Sequence, residues 1–308
     1  MANPLRTRVA VLSVVLLAVG AACSTSNSPS SGGTPSSPAM GHGPVNVYYA
    51  GSLAALMTNQ VGPEFKVATG YTFNGTPGDS GSLANEILAG QAADVFISAS
   101  PAKNAGLMTA TATSAAKETW YATWATSPVV FAFQSGSTVS TTLESTPWYQ
   151  VLTNTKFRVG RTDPASDPTA VLADQAVTMT AAAVPAQAAA LNAFVSSTSN
   201  KYGETALPAE IESSQLDAGF MYQVEAKQQG LAYVPLTVPG VDLSKIHASY
   251  TISILKDAPD QAGAEAFVNY LLGSPGLAFL NADGFTLVTP PAVTGTGVPA
   301  GISSAIPS

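Results

Sequence analysis

The chain is short of charge, cysteine and histidine. Asp, Glu, Lys and Arg make up 10% of its 308 residues, against roughly 25% in an average soluble protein. One cysteine, Cys23, excludes an intrachain disulfide and a multi-cysteine zinc site. The two histidines, His42 and His247, are far apart, so no paired-histidine metal motif exists. Lys and Arg number 12 against 19 Asp and Glu, a formal charge of -7. Two of those cations, Arg6 and Arg8, lie at the extreme N-terminus, and acidic residues begin only at Glu64. Nucleic acid is therefore excluded as a partner, because phosphate neutralisation needs clustered Lys and Arg. After the N-terminal segment no stretch approaches 18 consecutive apolar residues, so no membrane-spanning helix is expected. There is no Gly-x-Ser-x-Gly elbow, no P-loop and no internal repeat.

Hydrophobic residues supply 46% of the chain, ample for a packed core, and the length suggests about two domains. Residues 1–23 read as an export signal. Arg6 and Arg8 precede the apolar run Val9–Ala22, which is too short to span a bilayer and ends in Gly20-Ala21-Ala22 before Cys23. A lone cysteine there resembles a bacterial lipobox, which implies acylation of Cys23 and anchoring to the outer face of the cell membrane. Residues 24–44 are rich in Ser, Gly and Pro, lack charge and read as a flexible tether, with His42 solvated within it.

Beyond the tether, short β-branched and aromatic runs alternate with helical segments. Strands are expected at Val45–Tyr49, Tyr71–Phe73, Asp94–Ile97, Val129–Phe133, Phe157–Gly160, Gly219–Tyr222, Ala232–Leu236 and Tyr250–Leu255. Ser52 is placed to cap a helix from Leu53. Further helices are expected at Ser82–Leu88, Thr169–Met179, Asp260–Leu272 and Pro275–Asp283. The alternation implies an α/β fold with parallel βαβ units. Ligands in such folds bind beyond the carboxyl ends of strands, here the loops at Ser52, Ser80, Asp167 and Tyr222. Residues 289–308 are rich in Pro and Gly and read as an irregular tail that frays. Trp120, Trp124 and Trp148 read as core, Arg161 as an exposed or hinge residue, Glu225 as part of a solvated face, and His247 as structural.

Gly78-Asp79-Ser80-Gly81-Ser82 looks like the nucleophile segment of chymotrypsin-type proteases. A serine nucleophile needs a histidine within reach, and the one upstream histidine lies in the tether. A secreted serine hydrolase is thus a remote alternative, and the chain is read as a non-enzyme. Ser52 and Ser80 each open a helix after a strand. A helix N-terminus offers free N–H groups and partial positive charge, so two such turns facing one cleft could hold an oxyanion without Lys or Arg. Each serine could equally be a simple helix cap.

Tyr49-Ala50-Gly51-Ser52-Leu53, Gly78-Asp79-Ser80-Gly81-Ser82-Leu83-Ala84 and Ala93-Asp94-Val95-Phe96-Ile97-Ser98-Ala99 follow one another in order. Gly160-Arg161-Thr162-Asp163-Pro164 with Asp167-Pro168, Asp217-Ala218-Gly219-Phe220-Met221-Tyr222 and Asp283-Gly284-Phe285 come after them. Together, over residues 45–288, they resemble the molybdate- and tungstate-binding proteins of ABC importers. The resemblance implies a two-lobed periplasmic-binding-protein fold of the second type. Lobe one would be 45–126 plus 232–288, and lobe two 127–231. It implies an oxyanion ligand, most simply molybdate or tungstate, with sulfate, phosphate or a small organic anion as alternatives. It also implies a permease partner, a monomer and no cofactor or resident metal. By position, Ser52, Ser80 and Tyr222 would donate hydrogen bonds, and Asp167 would stand where the tungstate branch has a carboxylate. The tungstate branch has Glu at the position of Met221, so the resemblance implies only one carboxylate at the site.

Overall fold

The computed structural model describes residues 40–111 and 114–307. The export signal, Cys23 and most of the tether fall outside the described residues. The described part of the tether is held in place: the Gly41 N–H donates to Thr69 O at 2.8 Å, and Gly43 O accepts from Thr72 N at 2.8 Å.

The strands are β1 (Pro44–Ala50), β2 (Thr72–Gly78), β3 (Val95–Ser98), β4 (Trp120–Phe133), β5 (Val159–Thr162), β6 (Lys201–Tyr202), β7 (Ala218–Tyr222), β8 (Ala232–Pro235), β9 (His247–Ile254) and β10 (Thr286–Gly295). They join in the order β2-β1-β3-β9-β4-β7-β5-β6, with β8 and β10 also paired to β4. β1 runs parallel to β2 and β3, and β5 runs parallel to β6 and β7. The long strand β4 belongs to both halves of this curled sheet. Its first part lies between β9 and β10, and Val129–Phe133 lies between β7 and β8.

Each half packs its own aromatic core. Phe65, Phe73 and Phe267 meet in the first half, where Trp124, Tyr250 and Phe285 also pack together. Phe131, Trp148, Phe194 and Phe220 meet in the second. Trp120, Trp124 and Trp148 are all buried, in line with their reading as core.

Three expectations need correction. The tail does not fray: β10 pairs with β4 from Thr286 to Gly295, and Ile302 and Ile306 are fully buried. A few well-placed apolar residues anchor a stretch that has no periodicity of its own. Arg161 is neither exposed nor hinge-bound. It is fully buried, paired with Asp174 at 3.2 Å, and donates to Val195 O at 2.6 Å. Glu225 is buried rather than solvated, because its helix, Gln223–Gln228, packs against β4 and the turn at Gly51–Leu53.

Candidate binding site

The parallel strands of both halves deliver their carboxyl ends to one place. β1 ends at Ala50 and leads into the turn Gly51-Ser52. β2 ends at Gly78 and leads through Asp79 into the helix Ser80–Leu88. From the other half, β5 leads to Asp167 at the start of the helix Pro168–Ala183, β6 to Glu204, and β7 ends on Tyr222.

All four expected ligand residues are buried: Ser52, Ser80 and Asp167 are each 1% exposed and Tyr222 is 0% exposed. The two serines are not helix caps. Ala50 holds the cap position before the helical turn Gly51–Leu53, and Asp79 holds it before Ser80–Leu88; neither makes a side-chain capping bond. The Ser52 hydroxyl accepts from Tyr250 Oη at 3.0 Å, and the Ser80 hydroxyl accepts from Ala99 N at 3.1 Å. Each hydroxyl is thereby oriented with its own proton free to donate. The side chain that does cap is Asp167, whose Oδ1 accepts from Thr169 N at 2.8 Å.

Four side-chain atoms here are buried without a hydrogen-bond partner: Asp167 Oδ2 and the hydroxyls of Thr162, Thr169 and Tyr222. Leaving a buried polar group unpaired costs about 1–3 kcal/mol. Burial raises the Tyr222 pKa well above its ordinary value, and the nearby Asp167 charge adds to this, so the phenol is a neutral donor. Burial likewise pushes Asp167 up to about 6.

Motif reading missed Glu204. It is 3% exposed, and its carboxylate lies across the start of the first turn, where Oε2 accepts from Gly51 N and Oε1 from Ser52 N, both at 2.8 Å. A Cβ at position 51 would stand 2.7 Å from Glu204 Oε2, so a larger residue there would displace this carboxylate from the turn. Burial first, then the charges of Asp167 and Glu225, raise the Glu204 pKa. Carboxylate oxygens of Asp79, Asp167 and Glu204 all lie within 4.8 Å of one another. One carboxylate was expected here from Met221; the structure sets Glu204 and Asp79, from two other loops, beside Asp167. Tyr250 was missed as well, being an ordinary strand tyrosine by pattern.

Further hydrogen bonds tie the loops together across the site. Gly81 N donates to Ser166 O at 2.8 Å, Ser166 Oγ to Asp79 Oδ2 at 2.8 Å, and Glu204 N to Asp79 Oδ1 at 3.2 Å. The hydrogen bond that holds the Ser80 hydroxyl comes from Ala99 N, and no histidine is bonded to it among the described residues.

Residues 45–286 match the family of bacterial extracellular solute-binding proteins. The chain belongs to that family. This solute-binding protein is 26% identical over 223 residues to the molybdate/tungstate-binding protein of Pyrococcus abyssi, covering 57% of this chain and 64% of that one. It is 30% identical over 154 residues to a candidate ABC transporter molybdenum-binding protein of Haloferax volcanii, covering 50% of this chain and 45% of that one. It therefore spans only about half to two-thirds of the curated relatives it matches. Among solved structures, it resembles the periplasmic molybdate-binding protein of Azotobacter vinelandii at a TM-score of 0.57 and 19% identity, covering 79% and 99% of the two chains. The sulfate-binding protein of Mycobacterium tuberculosis gives a TM-score of 0.59 at 17% identity, covering 81% and 88%. The solute-binding protein thus has the two-lobed α/β fold of periplasmic binding proteins of the second type. Among its described residues no helix is long and apolar enough to cross a membrane.

Proposed function

We propose that the protein is the substrate-binding component of an ABC importer and captures molybdate or tungstate. The observation that carries this reading is the pairing of neutral donors with two buried carboxylates, Asp167 and Glu204, and no cation among the buried site residues. Ser52, Ser80 and Tyr222 offer hydroxyl protons to a tetrahedral oxyanion. Two carboxylates would repel a dianion that offers them only oxygen. Buried charges persist when they are paired or coordinate a metal, and a molybdenum or tungsten centre can take carboxylate oxygens as extra ligands, expanding from four- towards six-coordination. The sulfur of sulfate and the phosphorus of phosphate cannot. Names of relatives point the same way, although the sulfate-binding neighbour shares the fold equally well.

In this reading the protein catalyses no reaction. Ser52 and Ser80 sit on lobe one, and Asp167, Glu204 and Tyr222 on lobe two, so the lobes close over the anion and a permease reads the closed form. We place the crossings between lobes at Thr126–Val129 and between Pro235 and His247. The second lies later than the expected boundary at 231, because β8 pairs with the second half of β4. The protein would work as a monomer outside the cytoplasm, held by an acylated Cys23. Replacing Cys23 by Ala should release it or block processing, and normal processing with membrane retention would refute the anchor.

Calorimetric titration with molybdate, tungstate, sulfate and phosphate tests the ligand. Binding of sulfate or phosphate alone would overturn the reading. X-ray absorption of the tungstate-loaded protein should give a coordination number above four. Failure of a fluorophosphonate to label Ser80 is expected, and labelling would favour the hydrolase.

A further inference from the structure

The hydroxyls proposed to donate to the oxyanion are each held from behind, with one exception. Tyr250 Oη donates to the Ser52 hydroxyl at 3.0 Å, and Ala99 N donates to the Ser80 hydroxyl at 3.1 Å. Such a donor fixes the hydroxyl oxygen and leaves its proton to point at the ligand. Hydrogen bonds in a chain also polarise one another, so the last proton becomes the better donor. Tyr222 completes no such bond.

The side chain placed to supply one is Thr169. Its hydroxyl lies beside the Tyr222 hydroxyl and beside the Asp167 carboxylate. Thr169 is 1% exposed, and its hydroxyl has no hydrogen-bond partner. The usual outlet for a helical threonine is the carbonyl four residues back. Thr180, in the same helix, donates to Ala176 O at 2.7 Å in this way. Thr169 stands second in the helix Pro168–Ala183, so the residue four back, Ala165, lies in the loop before the helix. Asp167 has donors of its own. Its Oδ1 accepts from Thr169 N at 2.8 Å, and the Thr162 hydroxyl, also buried and unpartnered, lies beside the carboxylate. The Thr169 proton is thereby left for Tyr222.

We infer that Thr169 is a positioning residue for the oxyanion, its hydroxyl donating to the Tyr222 oxygen while the Tyr222 proton goes to the anion. The inference rests on the oxyanion reading. A hydroxyl has one proton and two acceptor lone pairs, so a Tyr222 proton given to the anion leaves the same oxygen free to accept. Thr169 then stands to Tyr222 as Tyr250 stands to Ser52.

A double-mutant cycle, read by calorimetric titration with sodium molybdate and sodium tungstate, tests this relay. Thr169→Val keeps the side-chain shape, removes the hydroxyl and should weaken binding about two- to tenfold, the worth of one neutral hydrogen bond. Thr169→Ser keeps the hydroxyl and should bind like wild type. In the Tyr222→Phe background Thr169→Val should cost nothing further, because the oxygen it serves is gone; in the Asp167→Asn background its cost should persist. Urea unfolding without oxyanion should show Thr169→Val folded, and Thr169→Ala repeats the cycle with a smaller side chain. Wild-type affinity for both Thr169→Val and Thr169→Ala, or a cost that survives in Tyr222→Phe and disappears in Asp167→Asn, would overturn the relay while leaving the oxyanion reading intact. Wild-type protein that binds none of molybdate, tungstate, sulfate and phosphate would overturn both.

Discussion

Replacing Tyr222 by Phe should move stability and affinity in opposite directions. The Tyr222 hydroxyl is fully buried; the Thr169 hydroxyl lies close by, yet neither completes a hydrogen bond. Deleting an unpaired buried hydroxyl removes a desolvation penalty of about 1–3 kcal/mol. The aromatic ring remains, so its edge-on packing against Tyr250, with centroids 5.9 Å apart, is kept. The variant should therefore unfold at higher urea than wild type in oxyanion-free buffer, by about 1 kcal/mol after partial relaxation of the site. Affinity should fall, because a hydrogen bond to a charged acceptor contributes about 1.5–3 kcal/mol, or roughly ten- to a hundredfold in Kd. A ligand at a hundred times the wild-type Kd stabilises wild type by about 2.7 kcal/mol. At that same concentration the variant should gain only about 0.4–1.4 kcal/mol. Denaturant unfolding with and without molybdate, together with calorimetric titration, reads both effects. A variant that is less stable without ligand would make Tyr222 a structural residue. Unchanged affinity would mean that its hydroxyl does not face the ligand.

Ser80→Ala should weaken molybdate binding about ten- to a hundredfold with little change in unfolding, since it removes a donor and no core volume; wild-type affinity would remove Ser80 from the site. Gly81→Ala should weaken binding too, because its Cβ would overlap the Ser166 carbonyl that Gly81 N now approaches; titration showing wild-type affinity would argue that this contact is dispensable. Asp167→Asn should lower tungstate affinity by at least tenfold if Asp167 joins the metal, whereas equal or better affinity would refute coordination. Glu118, 1% exposed and hydrogen-bonded to Ser253 and Asn104, is pushed by burial from 4.5 to about 8. Because its folded pKa lies above the unfolded value, its contribution is fully present below about pH 4.5 and is lost as pH rises to 8. Wild type should therefore lose about 3–5 kcal/mol across that window that Glu118→Gln does not lose; parallel pH profiles from urea unfolding would refute this.

The structure gathers the proposed ligand residues Ser52, Ser80, Asp167 and Tyr222, and each stands out in the sequence because it sits where a strand hands over to a helix or ends, in a short run with its own pattern. Glu204 has no such run. It lies in the loop after the two-residue β6, and its partners Gly51 and Ser52 are 153 and 152 residues away. The one available hint was an acidic residue between a strand and an apolar helix, which is common on any surface. Arg161 and Glu225 were misread for a related reason. Charge predicts exposure, and only the tertiary fold supplies Asp174 for Arg161 or the packing that covers Glu225. The strands themselves were legible from β-branched and aromatic runs. The last segment was not, since Ile302 and Ile306 are anchors set among Pro, Gly and Ser.

The sharing of β4 between both halves of the sheet has a consequence for the order of folding. Residues from Val129 to Pro235 form a nearly self-contained stretch, whose pairings β4–β7, β5–β7 and β4–β8 all close within it. The other half is split around that insertion. β3 must wait for β9, and the buried bond between Asn104 and Ser253 joins residues 149 positions apart. Long-range pairings of this kind are slow to form, because the loop must close before the contacts reward it. As the chain emerges from its N-terminus, the inserted half can therefore fold while β3 still lacks its partner strand β9. Ser52 meets Tyr250 across 198 residues, so this part of the site is assembled only when the C-terminal third has arrived. A chain that stops before β9 would carry a folded insertion, an exposed sheet edge and no complete oxyanion site.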